Sequence, residues 1–324
     1  MQIQRIDPER PGGLLTAFHD AFAAAYAGVP GPLWSRRRLE VELTEGFPGA
    51  RAEAWVAVDG GEVLGGYGLA HPVDDNTHLS RLATLVVRPE RQRAGVGSAL
   101  LAHAVERVRA AGRGLVLTET PAEGAGARFA KARGFTFSLG EARRVLDLRR
   151  ADWDGLRRML PEPDGYRVER WLGPAGPDLL PDLATVMNGM NDAPRDEGVE
   201  AASFSLDRVR QGEERIELTG ETTYSVLVRR VADGAPAGYS RIILTGDEPD
   251  GWASQADTTV LPAHRGHRLG LLLKLTNLLW LRESEPGVER IITWNARSNA
   301  HMLAINEAMG FELLDEWNDW RLDV

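Results

Sequence analysis

Two segments of this chain read alike, and that repetition constrains its fold more than any other feature. The run Val86-Val87-Arg88-Pro89-Glu90-Arg91-Gln92-Arg93-Ala94-Gly95-Val96-Gly97 lines up with Thr259-Val260-Leu261-Pro262-Ala263-His264-Arg265-Gly266-His267-Arg268-Leu269-Gly270, 173 positions on (260 against 87). Each copy ends an apolar β-branched stretch, places Pro two residues later, crosses a basic loop and enters a long apolar segment. A second pair, Ala132-Arg133-Gly134-Phe135 and Ala308-Met309-Gly310-Phe311, lies 176 positions apart (310 against 134). One small loop insertion accounts for the difference between the offsets. Solenoid repeats recur every ~20–50 residues. A period this long marks a duplicated domain instead, and 324 residues suit two domains of about 100–200 each.

The local patterns repeat in the same order. In the first half, alternation at Ile3–Ile6 predicts a strand, and apolar spacing predicts helices over Leu14–Tyr26 and Leu39–Leu43. Trp55–Val58 and Val63–Leu69 flank Asp59-Gly60-Gly61, a hairpin signal. A strand at Leu79–Val87, a helix at Val96–Ala110 ended by Gly112, a strand at Leu115–Thr120 stopped by Pro121 and a short helix at Ala125–Ala132 follow. The second half gives strands at Tyr166–Glu169, Thr223–Arg230, Tyr239–Leu244, Trp252–Val260, Arg290–Trp294 and Trp317–Leu322. Its helices fall at Leu179–Met190, Ser205–Leu218, Leu269–Glu283 and Asn299–Met309. Pro161, Pro163 and Gly165 mark a linker. The expected division is therefore 1–150 and 166–324, with 151–165 between them.

Composition narrows the function classes. The chain has no cysteine, which rules out thiolate nucleophiles and cysteine-based metal sites, and no other metal-ligand spacing is evident. Its net charge of -9 argues against a general nucleic-acid or anionic-membrane binder. The longest apolar run, Leu269–Leu281, is interrupted by Lys274, Thr276 and Asn277, so it reads as a buried helix. A spanning helix would need about 20 apolar residues. The N-terminal residues show no signal-peptide core. A cytoplasmic chain is expected.

The sharpest local feature is Gln92-Arg93-Ala94-Gly95-Val96-Gly97 between a strand and a helix. A helix start leaves backbone N–H groups without partners at the positive end of the helix dipole. A phosphate placed there satisfies them. Glycines at 95 and 97 would permit close backbone approach, and Arg91 and Arg93 add charge at the rim. Neither the Gly-x-x-x-x-Gly-Lys-Ser/Thr loop nor a Gly-x-Gly-x-x-Gly dinucleotide fingerprint is present.

This loop resembles motif A of the Gcn5-related N-acetyltransferase (GNAT) superfamily, and Gly134-Phe135 and Gly310-Phe311 resemble the end of its motif B. The resemblance extends over nearly the whole chain as two copies, strongest at 79–137 and 252–311, in the manner of tandem two-domain members of actinobacterial type. It implies an α/β fold of two tandem domains, each a mixed, mostly antiparallel sheet flanked by helices. In each, the sheet splays between its fourth and fifth strands to admit the pantetheine of acetyl-CoA, the acyl-donor cosubstrate. Carried onto the first copy, the pantetheine edge is Leu85, Val86 and Val87. The pyrophosphate loop is Gln92, Arg93, Ala94, Gly95, Val96, Gly97 and Ser98. In the second copy the edge is Thr258, Thr259 and Val260. The loop there is Arg265, Gly266, His267, Arg268, Leu269, Gly270 and Leu271. That copy departs from the pattern by carrying Arg268 where the first has Gly95. His264, Arg265, His267 and Arg268 offer charge in compensation.

Acyl transfer to an amine requires a proton to leave an ammonium of pKa ~10.4 and a polarised thioester carbonyl. No acyl-enzyme is needed. The family's thiolate-protonating tyrosine, four residues before the motif B glycine, falls at Ala130 and Asn306. Alanine donates nothing; the Asn306 amide can hydrogen-bond the sulfur without transferring a proton. Asp257 is the candidate general base, with an exposed carboxylate or a partner of His264 or Arg265 as the plainer reading. Asn299 can cap the following helix or contact the cofactor. His71, His78 and Arg81 are weaker candidates near the first copy's fourth strand, and the acidic run Asp247-Glu248-Pro249-Asp250 could attract a cationic acceptor. The expected activity moves an acetyl group to a primary amine of a small molecule by direct attack, the second domain being the better catalytic candidate. The alternatives are a non-catalytic acyl-CoA-binding regulator and a protein lysine acetyltransferase.

Overall fold

A computed structural model describes residues 1–192, 194–196, 198–244 and 250–324. In chain order the first half forms β1 (Gln2–Arg5), α1 (Gly12–Tyr26), α2 (Arg36–Thr44), β2 (Ala50–Asp59) and β3 (Glu62–Pro72). It continues with β4 (Leu79–Val87), α3 (Val96–Ala110), β5 (Leu115–Pro121), α4 (Ala125–Ala132) and β6 (Thr136–Asp147). Next come α5 (Trp153–Arg158), β7 (Tyr166–Leu172), α6 (Leu180–Asn188), α7 (Leu206–Thr219), β8 (Thr222–Arg230) and β9 (Pro236–Leu244). The remainder is β10 (Trp252–Val260), α8 (Leu269–Ser284), β11 (Arg290–Ala296), α9 (Ala300–Ala308) and β12 (Glu312–Asp323).

Local chemistry sets these boundaries. Ser35 and Ser205 cap α2 and α7, each accepting from a backbone N–H three residues on, at 3.2 Å. Gly220, at φ 69°, ends α7 in the left-handed conformation that glycine adopts without strain. Gly60 and Gly61 both take positive φ in the β2–β3 turn, as the hairpin signal requires.

The chain forms two compact units. One comprises Met1–Leu139, Asp196–Glu200 and Trp317–Val324; the other comprises Gly140–Arg195 and Ala201–Glu316. In the first unit the strands run β1-β2-β3-β4-β5-β12, antiparallel except for β4 and β5. One face is covered by α3 and α4, with Tyr67, Leu82, Leu100, Leu101, Phe135 and Trp320 in the core. The other is covered by α1 and α2, with Phe18, Phe22, Leu39, Leu43 and Val86. In the second unit the order is β6-β11-β10-β9-β8-β7, with β10 and β11 parallel. Leu271, Leu275, Leu278 and Leu281 of α8 pack with Ile291 and Phe311. Leu183 and Val186 of α6 pack with Val209, Leu227 and Tyr239.

These units do not follow the contiguous division 1–150 and 166–324. Each takes its closing strand from the other half of the sequence: Trp317–Asp323 of β12 pairs with β5, and Glu141–Asp147 of β6 pairs with β11. Residues 151–165 are likewise more than a linker. They contain α5, whose Leu156 is buried in the second core, and Trp153 Nε1 donates to Leu148 O at 3.1 Å. No helix among the described residues is long and apolar enough to cross a membrane.

Candidate functional site

The two parallel strand pairs open in the same way. The register of β4 on β5 runs from Leu79↔Leu115 to Arg81↔Leu117, and that of β10 on β11 from Trp252↔Arg290 to Gln255↔Thr293. At each fork a threonine bridges the strands: Thr118 Oγ1 donates to Leu82 O at 2.9 Å, and Thr293 Oγ1 to Gln255 O at 3.4 Å. Beyond the forks lie Leu85–Val87 and Thr258–Val260. Val86, Val87 and Thr259 turn their side chains into protein. The Thr258 hydroxyl is bonded to Ser240 at 2.9 Å. Both β4 and β10 carry a register irregularity just past the fork, between Leu82 and Thr84 in one and between Gln255 and Thr258 in the other.

The loops that follow share one backbone shape built from exchanged residues. Two positions take left-handed φ in each: Arg93 (63°) and Gly95 (87°) in the first, Gly266 (85°) and Arg268 (57°) in the second. Arginine and glycine have traded places, so Arg268 in place of Gly95 leaves the loop conformation unchanged. The Gln92 amide donates to Val87 O at 3.3 Å, and Arg265 Nε makes the equivalent bond to Val260 O at 3.2 Å. Neither α3 nor α8 has a side-chain cap at its N-terminus, and Gln92–Gly95 and Arg265–Arg268 are exposed. Free N–H groups next to left-handed residues form a concavity suited to a pyrophosphate. Gly95 has open space around it, whereas a Cβ at Gly97 would rest 3.5 Å from Phe129 and Val87 and one at Gly270 would rest 3.5 Å from Ile305. Both are ordinary contact distances, so neither position excludes a Cβ on packing grounds.

Several expected charges are already engaged. Arg91 pairs with Glu62 at 2.5 Å. Ser98 Oγ accepts from Arg133 at 2.5 Å. His264 is buried, its Nδ1 bonded to the Tyr166 hydroxyl at 3.1 Å, and burial lowers its pKa. Arg93, His267 and Arg268 remain exposed at the loops.

Asp257 sits at the β10 irregularity, where Ala256 and Asp257 face the single residue Arg241 of β9. It keeps some solvent contact, yet burial of its carboxyl raises its pKa, opposed by Arg241. Asn306 is fully buried, and its amide donates to Asn295 Oδ1 at 2.7 Å, tying α9 to β11. Asn299 caps α9, accepting from Met302 N at 3.2 Å. His71 is held between Ser80 Oγ (2.8 Å) and Glu53 (3.3 Å), and His78 meets Gly198 O at 3.0 Å. Of the acidic run, Asp247, Glu248 and Pro249 lie outside the described residues.

The sequence reading missed Glu213 and Arg241, a buried ion pair at 2.9 Å beside Asp257. Spacing gave no signal for it, because its members come from α7 and β9. Lys274 and Asn277 did leave a signal, as polar interruptions of an apolar helix. Both are buried, and burial lowers the Lys274 pKa to about 7.

Residues 50–137 match the family described as acetyltransferase (GNAT) domain. A comparison with curated protein sequences gives no match. Among solved structures, the chain is similar to a tandem GNAT protein from the clavulanic acid biosynthesis pathway, solved without acetyl-CoA. The two are 28% identical, with 99% of this chain and 98% of that one covered, at a TM-score of 0.84. A GCN5-related N-acetyltransferase from Sphaerobacter thermophilus shares the fold at 16% identity, covering 99% of this chain and 95% of that one, TM-score 0.62. Residues 50–137 thus form a GNAT acetyltransferase domain, and over its whole length the chain shares the fold of a tandem GNAT protein.

Proposed function

We propose that the second unit transfers an acetyl group from acetyl-CoA to the primary amine of a small molecule, and that the first unit binds acyl-CoA without turning it over. The observation that carries this reading is Asp257. It is an acidic side chain at the strand irregularity beside the open cleft, and burial leaves it readier to take a proton than an ordinary carboxylate. The corresponding position in the first unit is Thr84, which cannot serve as a base.

Asp257 removes one proton from the acceptor ammonium. The amine nitrogen then attacks the thioester carbonyl, its C–N bond forms as the C–S bond breaks, and the nitrogen's second proton passes to the departing thiolate. Uncapped N–H groups of α8 hold the pyrophosphate. Asn306 acts one step back, orienting Asn295. Neither Ala130 nor Asn306 can supply an acid, so solvent relays the nitrogen's second proton to the thiolate.

The test is calorimetric titration of acetyl-CoA into the full chain, repeated with Gly97→Asp and with Gly270→Asp. A Cβ at either glycine meets its neighbours at ordinary contact distance, 3.5 Å, so the main change each substitution brings is the charge at the loop. Two sites, each lost with its own substitution, support the division of labour. A single site abolished only by Gly97→Asp would overturn the choice of catalytic unit. Asp257→Asn, assayed by thiol release against a panel of small amines and lysine peptides, tests the base and separates small-molecule from protein acceptors.

A further inference from the structure

Burying charge is costly unless it is paired, and removing one partner of a buried pair costs more still. The second unit keeps such charges where the first has none. Gly65 pairs with Val87 and Gly238 with Val260, so the repeat sets Arg241 where Gly68 stands. At Gly68 a Cβ would lie 2.5 Å from Leu43 of α2, an apolar contact that leaves no room for a side chain. The equivalent space in the second unit holds the Arg241 guanidinium. Its Nη2 donates to Glu213 of α7 at 2.9 Å and its Nε to the buried Ser225 hydroxyl at 2.9 Å. Glu213 also accepts from Ala175 N at 2.7 Å, and Gln255 Nε2 donates to Arg241 O at 2.8 Å. Arg241 and Glu213 are 11% and 8% exposed. Two hydrogen bonds hold the guanidinium and a third holds the Arg241 backbone, directly opposite the displaced Ala256 and Asp257.

We propose that the Glu213–Arg241 pair is a positioning element for Asp257: Arg241 orients the carboxyl at the irregularity, and Glu213 offsets enough of its charge to leave that carboxyl able to accept a proton. The inference rests on Asp257 being the base. An isolated guanidinium beside Asp257 would hold it firmly ionised and make it a poor proton acceptor. The titratable groups on the surrounding elements include Arg241 and Tyr239 on β9, Glu213 on α7, Asp182 on α6, Lys274 on α8 and Arg290 on β11. Asp182 is bonded to Arg229, Lys274 lies over Phe311 and Arg290 stacks on Trp252. Burial keeps the Tyr239 phenol protonated. Arg241 is the charge that opposes burial at Asp257, and Glu213 acts through Arg241.

The experiment is carboxyl NMR of the full chain labelled with [13C]aspartate, the Asp257 signal being assigned with Asp257→Asn. Arg241→Met should raise its titration midpoint by about one pH unit, and Glu213→Gln should lower it by a similar amount. Arg241→Lys, which keeps the charge, should stay near the parent. A merely structural pair would move neither midpoint, and an unchanged midpoint in both folded variants overturns the proposal. If Arg241→Met does not fold, Glu213→Gln decides alone, since a midpoint that stays or rises refutes it. Turnover by Asp257→Asn separates the two ideas. Undiminished activity there removes the general-base reading while the opposed NMR shifts still establish the coupling.

Discussion

Replacing Lys274 by methionine should stabilise the chain at neutral pH, by an amount that fades in alkali. Lys274 is 1% exposed in α8, and its ammonium lies 5.3 Å from the centre of the Phe311 ring. Burial drives its pKa from 10.5 to about 7. Between those values the unfolded chain holds a proton that the folded chain has released, so stability rises with pH across this window. At about 1.4 kcal/mol per pH unit, the gap corresponds to roughly 4–5 kcal/mol at and below pH 7. The cation–π contact, included in the native state, is lost in the variant and offsets about 1–2 kcal/mol of the gain. Lys274→Met should therefore gain about 2–4 kcal/mol at pH 7 and almost nothing at pH 10.5. The first unit has Leu101 at the corresponding position, 5% exposed, so the fold accommodates an apolar side chain there. Urea unfolding of both proteins at intervals from pH 6 to 10.5 measures the difference. A gain that is independent of pH, or a loss at pH 7, would refute the reasoning.

Glu53 also makes stability rise with pH, but in the acid range, and there the substitution costs stability instead of gaining it. Burial opposes its charge, but hydrogen bonds from His71 and Arg107 outweigh that and lower its pKa from 4.5 to about 2. Its stabilisation, roughly 3 kcal/mol, is complete above pH 4.5 and is lost as pH falls through about 2. Glu53→Gln should cost about that much at pH 7 and little at pH 2, which acid titration of unfolding would show. Gly95→Ala, at φ 87°, should cost about 1 kcal/mol in thermal unfolding, whereas Arg268→Gly should gain a similar amount by relieving a left-handed arginine. Arg268→Gly should also weaken acetyl-CoA binding to the second loop about three- to fivefold through the lost charge, read by calorimetry.

The duplication was legible because backbone geometry at a strand–loop–helix turn restricts sequence tightly, and two copies restrict it twice. The place of Asp257 on β10 ahead of the second loop was legible for the same reason, since it is a matter of chain distance. Arg241 and Glu213 were not. Each looks like an ordinary charged residue on its own element, and only the register of β9 on β10 and the packing of α7 bring them to Asp257. For Asn306 the motif gave the position, but not the bond by which its amide holds Asn295. Strand exchange was invisible because alternation predicts that β6 and β12 are strands but carries nothing about which neighbour they choose.

That exchange bears on the order in which the protein can be made. β5 emerges from the ribosome with its far edge open, and the strand that closes it is synthesised only after every strand of the second sheet. The half translated first is thus the half completed last, and its exposed edge must stay unpaired through most of elongation. A ribosome stalled or a message broken within the second half would leave the first sheet unfinished rather than simply omit the second.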